Sequence, residues 1–347
     1  ARLTGSAAVP SYPGPHVRFD LALNGLDADR YLPPPSADGG ASPAPATPGE
    51  AAGAGAAQLP LQPLRTLDVS GELDVGRLRV RGLRLDDLHL ALDGRAGRFR
   101  LHPLTARLYE GDYQGDVRLD VRRATPRVTL DERLSGVAVG PLLHDAVGKA
   151  HLTGDADVEA TLTFAGSEPR AMLRSLSGQG RYRLRDGTVA GVDLGRTLRA
   201  AYRALGEDGG NRRAAGTRFR ELSGSATIKQ GRLHSDDLTL DAEVMDLTGK
   251  GHLDLAESRV DYRLQGTIPD DAAIKELRGL NVPVRITGPV SDPKVRVDLA
   301  TALEQRASEA LEKEREKAQK RLDEQLQEKK EDLKKRLEDK ARELFKF

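Results

Sequence analysis

Three carboxylates alternate along GDADVEA, and the alternation puts Asp155, Asp157 and Glu159 on one face of a strand. Oxygen ligands grouped in this way can hold Ca²⁺, but the outward face of an amphipathic strand accounts for them better. GEDGGN, Gly206 to Asn211, has the composition of a calcium loop without its ligand spacing. The seven histidines are scattered. His144 and His151 are the nearest to one another, and no pair stands at the helical spacing of a zinc site. SGQGRYR lacks the third glycine of a dinucleotide fingerprint and precedes a strand rather than a helix. Neither a nucleophile elbow nor a P-loop is present. The chain has no cysteine, which removes disulfides, thiolate metal sites and a cysteine nucleophile. The expectation is a protein that is not an enzyme and needs neither metal nor other cofactor.

What the sequence does carry is alternation. In YEGDYQGDVRLDVRR, Val117, Leu119 and Val121 point one way, while Asp116, Arg118, Asp120 and Arg122 point the other. Apolar residues make up 38% of the 347, aromatics only 4%, and there is no Trp, so Leu, Val and Ala must carry the burial. Charged residues are 31%, yet the net charge is +1, which lacks the basic excess expected of a nucleic-acid reader. No run of about 18 apolar residues is present to span a membrane as a helix.

Residues 1–32 hold terminal strands of an upstream β repeat, as in HVRFDLALNGL. Residues 33–62 are rich in Pro, Ala, Gly and Ser, with no large apolar residue before Leu59, and read as a disordered loop. Residues 63–299 alternate with period two through about sixteen candidate strands. A returning phrase, GRLRV at Gly76, GRFRL at Gly97, GTVAG at Gly187 and GRLHS at Gly231, places a glycine where a turn would launch each strand. Units this short and regular predict a long antiparallel meander. At about 4.8 Å between neighbours it would run roughly 75 Å, beyond what an open sheet sustains without curling. A closed barrel, a sandwich and a long trough all satisfy the pattern.

Helices are few. VDLGRTLRAAYRAL places Leu194, Leu198, Ala201, Tyr202 and Leu205 on one face with Asp193 as N-cap. EPRAMLRSL and DDAAIKELRG predict a turn or two each. Residues 300–347 contain no Gly or Pro and predict one long charged helix of about 70 Å. Leu311, Leu322, Leu333 and Leu344 recur every eleven residues, a period close to that of an unstrained helix, so the thin apolar stripe runs straight.

VGRLRVRGLRLDDLHLALDGRAGRFRLHPLTARLYEGDYQGDVRLD resembles the strand repeats of the AsmA family of Gram-negative envelope proteins. PLTARLYEGDYQG, Pro103 to Gly115, is similar to the family's apolar-Tyr-x-Gly-x-x-x-Gly turn. LSGQGRYRLRDGTVAGVDLGRTLRAA, TRFRELSGSATIKQGRL and LNVPVRITGPVSDPKVRVD are similar to elements that follow in that order, and NGLDADRYLPP to the linker that leads into them. The similarity covers about residues 1–299.

The resemblance implies a periplasmic body held to the inner membrane by an upstream anchor that is not in this chain. It also implies kinship with bridge-like lipid transfer proteins, in which a long curled β-sheet forms an open apolar groove. On that reading the fold is mainly β, with a few short helices and a long C-terminal α-helix. The lipid-binding side chains would be Leu78, Val80, Leu88, Leu90, Leu92, Phe99, Leu101, Leu108, Val117, Leu119, Val121, Val128, Leu130, Tyr182, Leu184, Leu253, Leu255, Tyr262 and Leu264. The partners would be phospholipids, and the implied role is carrying them between the inner and outer membranes. A second reading makes the sheet a scaffold in outer-membrane assembly, with the C-terminal helix docking an envelope protein.

Overall fold

The computed structural model describes residues 2–9, 16–31, 61–191, 193–204, 216–270, 277–291 and 293–344. Most of the 33–62 segment, the loop at 206–211 and most of DDAAIKELRG lie outside the described residues; Leu61 and Gln62 already belong to a helix.

Among the described residues sixteen strands form one sheet. They are β1 (Leu3–Ala8), β2 (His16–Leu23), β3 (Leu26–Asp27), β4 (Asp68–Val80), β5 (Leu83–Arg95), β6 (Arg98–Leu108), β7 (Gly111–Asp120) and β8 (Arg127–Ala138), then β9 (Asp155–Ala165), β10 (Ser177–Ala190), β11 (Gly216–Lys229), β12 (Arg232–Ala242), β13 (Asp246–Asp254), β14 (Arg259–Thr267), β15 (Asn281–Pro289) and β16 (Lys294–Val297). Spatial order follows sequence order from β1 to β16, with β3 lying beside β4 off the main path. The path does not close on itself, so of the three arrangements the sequence allowed, the sheet is open and curled. Pairing is antiparallel except where β2 and β3 run parallel to β4. There the chain leaves β3 and must return to start β4 in the same direction.

Four hairpins turn on two residues with positive φ: Arg81-Gly82, Ala96-Gly97, Tyr109-Glu110 and Gln230-Gly231. Two successive residues of that conformation match the twist of the flanking strands. The returning glycine phrase therefore marks a turn at Gly97 and Gly231. It does not at Gly76 and Gly187, which lie inside β4 and β10. At Gly187 the reason is close approach, since a Cβ would stand 2.1 Å from Thr153 O and 2.3 Å from Phe219 Cζ.

Among the described residues five α-helices accompany the sheet: α1 (Leu61–Thr66), α2 (Val139–Val147), α3 (Pro169–Ser175), α4 (Leu194–Ala204) and α5 (Leu299–Leu344). Asp193 caps α4, its carboxylate accepting from Arg196 N–H at 2.7 Å. Neither α1 nor α2 was legible in the sequence. Both are short, and VGPLLHDAV begins as the continuation of an apolar strand.

The core is gathered at places rather than spread evenly. At the C-terminal end, α4 and the first turn of α5 bring Leu194, Leu198, Leu299 and Ala302 against Phe219, Met245, Leu247 and Val282. At one rim, Leu61 and Leu64 of α1 pack on Val69, Phe99 and Val121. A third cluster joins Val75, Leu88 and Ala106 on β4 to β6.

The open apolar face and its one carboxylate

Register makes one face of the sheet continuously apolar. Across the central strands three parallel rows cross the strand direction. The first runs Leu101, Val117, Leu130, Leu162, Gly178, Ile228. The second runs Leu104, Gly115, Glu132, Ala160, Gly180, Ala226, and the third Ala106, Tyr113, Leu134, Val158, Tyr182, Gly224. Val117, Leu130, Leu162, Leu134 and Val158 are only half-buried. The middle row is shallow from β7 to β11, where every residue but Glu132 is Gly or Ala. It makes a furrow between two taller rows.

Aromatic rings on this face lie down on glycines. Phe19 faces Gly71, Phe99 faces Gly94, Tyr182 faces Gly224, Phe219 faces Gly187 and Tyr262 faces Gly251, each pair directly opposite across adjacent strands. A Cβ on any of these five glycines would stand under 3 Å from the partner aromatic side chain. Each glycine accepts a flat ring where a side chain would force it upright, so the rings add apolar area without rising from the floor.

The side chains expected to bind lipid divide by position. Leu90, Leu92, Leu101, Val117, Leu119, Val128, Leu130 and Tyr182 are half-exposed on the apolar face. Leu78, Val80 and Leu253 share that face nearer the strand ends. Leu88, Phe99, Val121, Leu184, Tyr262 and Leu264 are buried within the three core clusters, and Leu108 is buried at the β6–β7 hairpin. Leu255 falls outside the ladder, in the turn after β13. Val158, Ala160, Leu162 and Phe164 of β9 belong to the open face with equal claim. Their period-two spacing was the signal that could have added them.

The opposite face is a charged hollow rather than a plain back. A cavity of about 1230 Å³ spans β6 to β12, lined on that side by Asp131, Arg133, Asp157, Glu159, Arg181 and Arg183 and also by Gly115, Glu132, Ala160 and Gly180 of the middle row. Its charges are paired across strands. Glu159 meets Arg133 at 2.7 Å and Arg181 at 3.5 Å, Asp131 meets Arg118 at 3.1 Å, and Asp157 meets Arg185. The carboxylates of GDADVEA at Asp157 and Glu159 are thus ion-paired with arginines. Among the described residues no group of three His, Cys, Asp or Glu side chains is arranged to hold a metal ion. Asp116 is the most enclosed acid here. Arg100 at 2.5 Å and Arg118 at 2.9 Å cover it, and the Arg100 hydrogen bond, against the opposing effect of burial, pulls its pKa down to about 2.

Tyr109 explains the turn motif around it. Its hydroxyl donates to Asp145 Oδ2 at 2.7 Å, and the Arg84 guanidinium both pairs with Asp145 and stands over the Tyr109 ring. The motif ties the β6–β7 hairpin to α2. Gly111 follows because a Cβ there would stand 2.5 Å from Ser135 O.

Glu132 is the one acid in the three rows. Its Oε2 is enclosed with no hydrogen-bond donor. It converges with the Tyr113 hydroxyl over Gly115, where a Cβ would lie 2.5 Å from Tyr113 Oη and 2.7 Å from Glu132 Oε2. Burial holds the Glu132 carboxyl above the ordinary carboxylate range, with the Tyr113 hydroxyl pulling the other way. Burial, then the neighbouring carboxylate, pushes Tyr113 up.

Comparison with known proteins places these features in context. The AsmA family model matches residues 4–238. Protein AsmA of Escherichia coli (strain K12) is 24% identical over 226 residues, covering 62% of this chain and 36% of that protein. The chain thus spans about a third of the length of this curated relative. No solved structure matches.

Proposed function

Since the chain belongs to the AsmA family, which is associated with the cell envelope, we propose that it is a segment of a periplasmic lipid conduit, along which phospholipid acyl chains move between the inner and outer membranes. The observation that carries this reading is the apolar ladder of the sheet, interrupted by Glu132 alone in its three central rows, half-exposed in its middle strands and, among the described residues, packed under helices toward its ends.

The energetics favour such a surface. A two-chain phospholipid carries about thirty methylenes, and wetting them costs on the order of 20 kcal/mol at roughly 0.8 kcal/mol each. Val, Leu and flat aromatic rings replace that water along a continuous path. The path has few polar anchors, so a chain lying on it is held weakly at each step and can slide. No bond changes, so no catalytic group is required.

No helix among the described residues is long and apolar enough to cross a membrane. Attachment to the inner membrane would come through an upstream anchor. A second reading rests on a separate observation: α5 is exposed from Glu304 to Glu331 and at Leu337, and its exposed face includes Leu311, Leu322 and Leu326. On that reading α5 docks an envelope protein and the sheet is its scaffold.

The test is to purify the chain from envelope extracts and weigh what comes with it. Phospholipid bound in stoichiometric amounts supports the conduit. A lipid-free protein that takes up none from vesicles refutes it.

A further inference from the structure

On the central furrow, the row Gly115, Glu132, Ala160, Gly180, Ala226 offers a hydrocarbon chain only one tall side chain to cross. That side chain is a carboxyl group whose Oε2 has no donor, held over Gly115 beside the Tyr113 hydroxyl. An ionised carboxylate in that place has one enclosed oxygen without a donor and no cation facing it, whereas the neutral acid is a short, weakly polar bump. We propose that Glu132 is a proton-operated gate on the apolar track: protonated, it lets acyl chains lie along the furrow; ionised, it excludes them. This rests on the lipid-conduit reading above.

The groups packed around Glu132 leave the proton as its counter-charge. From β7, Tyr113 is the titratable group on the same face, and it is itself held neutral by burial. Asp116 of β7 and Asp131 of β8 lie on the polar side, and their negative charges add to the pressure against ionising Glu132. Arg133, next along β8, points into the charged hollow and pairs there with Glu159. From β9 the residue opposite is Ala160, with Val158 and Leu162 to either side on that face. No arginine or lysine among the described residues faces the carboxyl from these strands.

A small neutral replacement should therefore mimic the open state. Tyr113 and Gly115 are positioning residues in this scheme, since one crowds the acid and the other leaves room for it. The experiment incubates the full chain, and its Glu132→Gln variant, with vesicles of equal parts phosphatidylethanolamine and phosphatidylglycerol. The protein is re-isolated at about pH 5 and about pH 8, and bound phospholipid is counted by mass spectrometry. Above its pKa a carboxyl loses about tenfold of its protonated fraction for each unit of pH, so the two conditions separate the states widely. The expected result is at least about threefold more lipid on the wild-type chain at the lower pH, with Glu132→Gln loaded equally and highly at both.

Wild-type loading that ignores pH, or a Glu132→Gln variant that keeps the pH dependence, overturns the gate and leaves the conduit standing. Absence of lipid on both proteins at both pH values overturns the conduit and the gate together. A second readout is independent of lipid. The carboxyl ¹³C signal that disappears in Glu132→Gln should titrate above the ordinary glutamate range, and a midpoint at or below that range overturns the gate.

Discussion

Tyr182 and Gly224 stand directly opposite one another on β10 and β11, and the ring lies so close that a Cβ on Gly224 would be 2.8 Å from the hydroxyl oxygen and 3.2 Å from Cζ. The phenol is partly buried in this posture, and burial raises its pKa. Gly224→Val should push the ring off the floor. The expected loss is about 1–3 kcal/mol, in the range of overpacked sites, read as a lower urea midpoint. The same substitution in a Tyr182→Ala background should cost less, and equal costs in the two backgrounds would show that ring and glycine are not coupled.

The open rows should tolerate charge structurally and not functionally. Leu130 is half-exposed between Val117 and Leu162. Leu130→Arg or Leu119→Arg should leave the circular dichroism spectrum of the sheet intact and remove most co-isolated phospholipid. Full lipid loading on either variant would move the path away from these rows.

Acid should loosen the polar face in a defined window. Asp116 and Asp120 both have folded pKa values lowered to about 2, chiefly by hydrogen bonds from Arg100 and Arg122 respectively. A lowered folded pKa contributes stability that is present above the unfolded value, near 3.9, and lost as pH falls through the folded one. Stability should therefore fall between about pH 4 and pH 2, and Arg100→Gln should flatten part of that decline. An unchanged pH slope in Arg100→Gln would deny Asp116 this role.

The long helix should be energetically separate from the sheet beyond its start. Leu299 and Ala302 are buried in the C-terminal core, whereas the side chains from Glu304 to Glu331 are exposed. Leu299→Ala should cost about 2–5 kcal/mol. Deleting residues 310–347 should leave the thermal midpoint of the sheet unchanged. A large drop on deletion would mean that α5 folds back on the body.

Much of this architecture could be read from the chain because strand faces depend only on parity. Val117, Leu119 and Val121 announce their side wherever their partners lie. The glycine–aromatic pairs could not be read so. Tyr182 and Gly224 are brought together by the register of two strands with α4 and residues outside the described set between them, and nothing local to either residue specifies that register. The bulges between Ser223 and Thr227 and between Ser235 and Leu238 likewise arise only on pairing. Glu132 was legible and passed over. In RVTLDERL it falls in step with Val128, Leu130 and Leu134, so an acid on the oily side was visible from spacing alone. What spacing could not show is that Gly115 lies opposite and gives it room.

From β5 to β16 every strand bonds only to the strands before and after it in sequence. Such a molecule is organised like a ladder rather than a knot. Its ordering can begin at any hairpin and spread outward, and removing or duplicating a pair of rungs changes the span without rewiring the remainder. Growth by whole hairpins would alter how far the body reaches while leaving its cross-section, and the chemistry of its two faces, as they are.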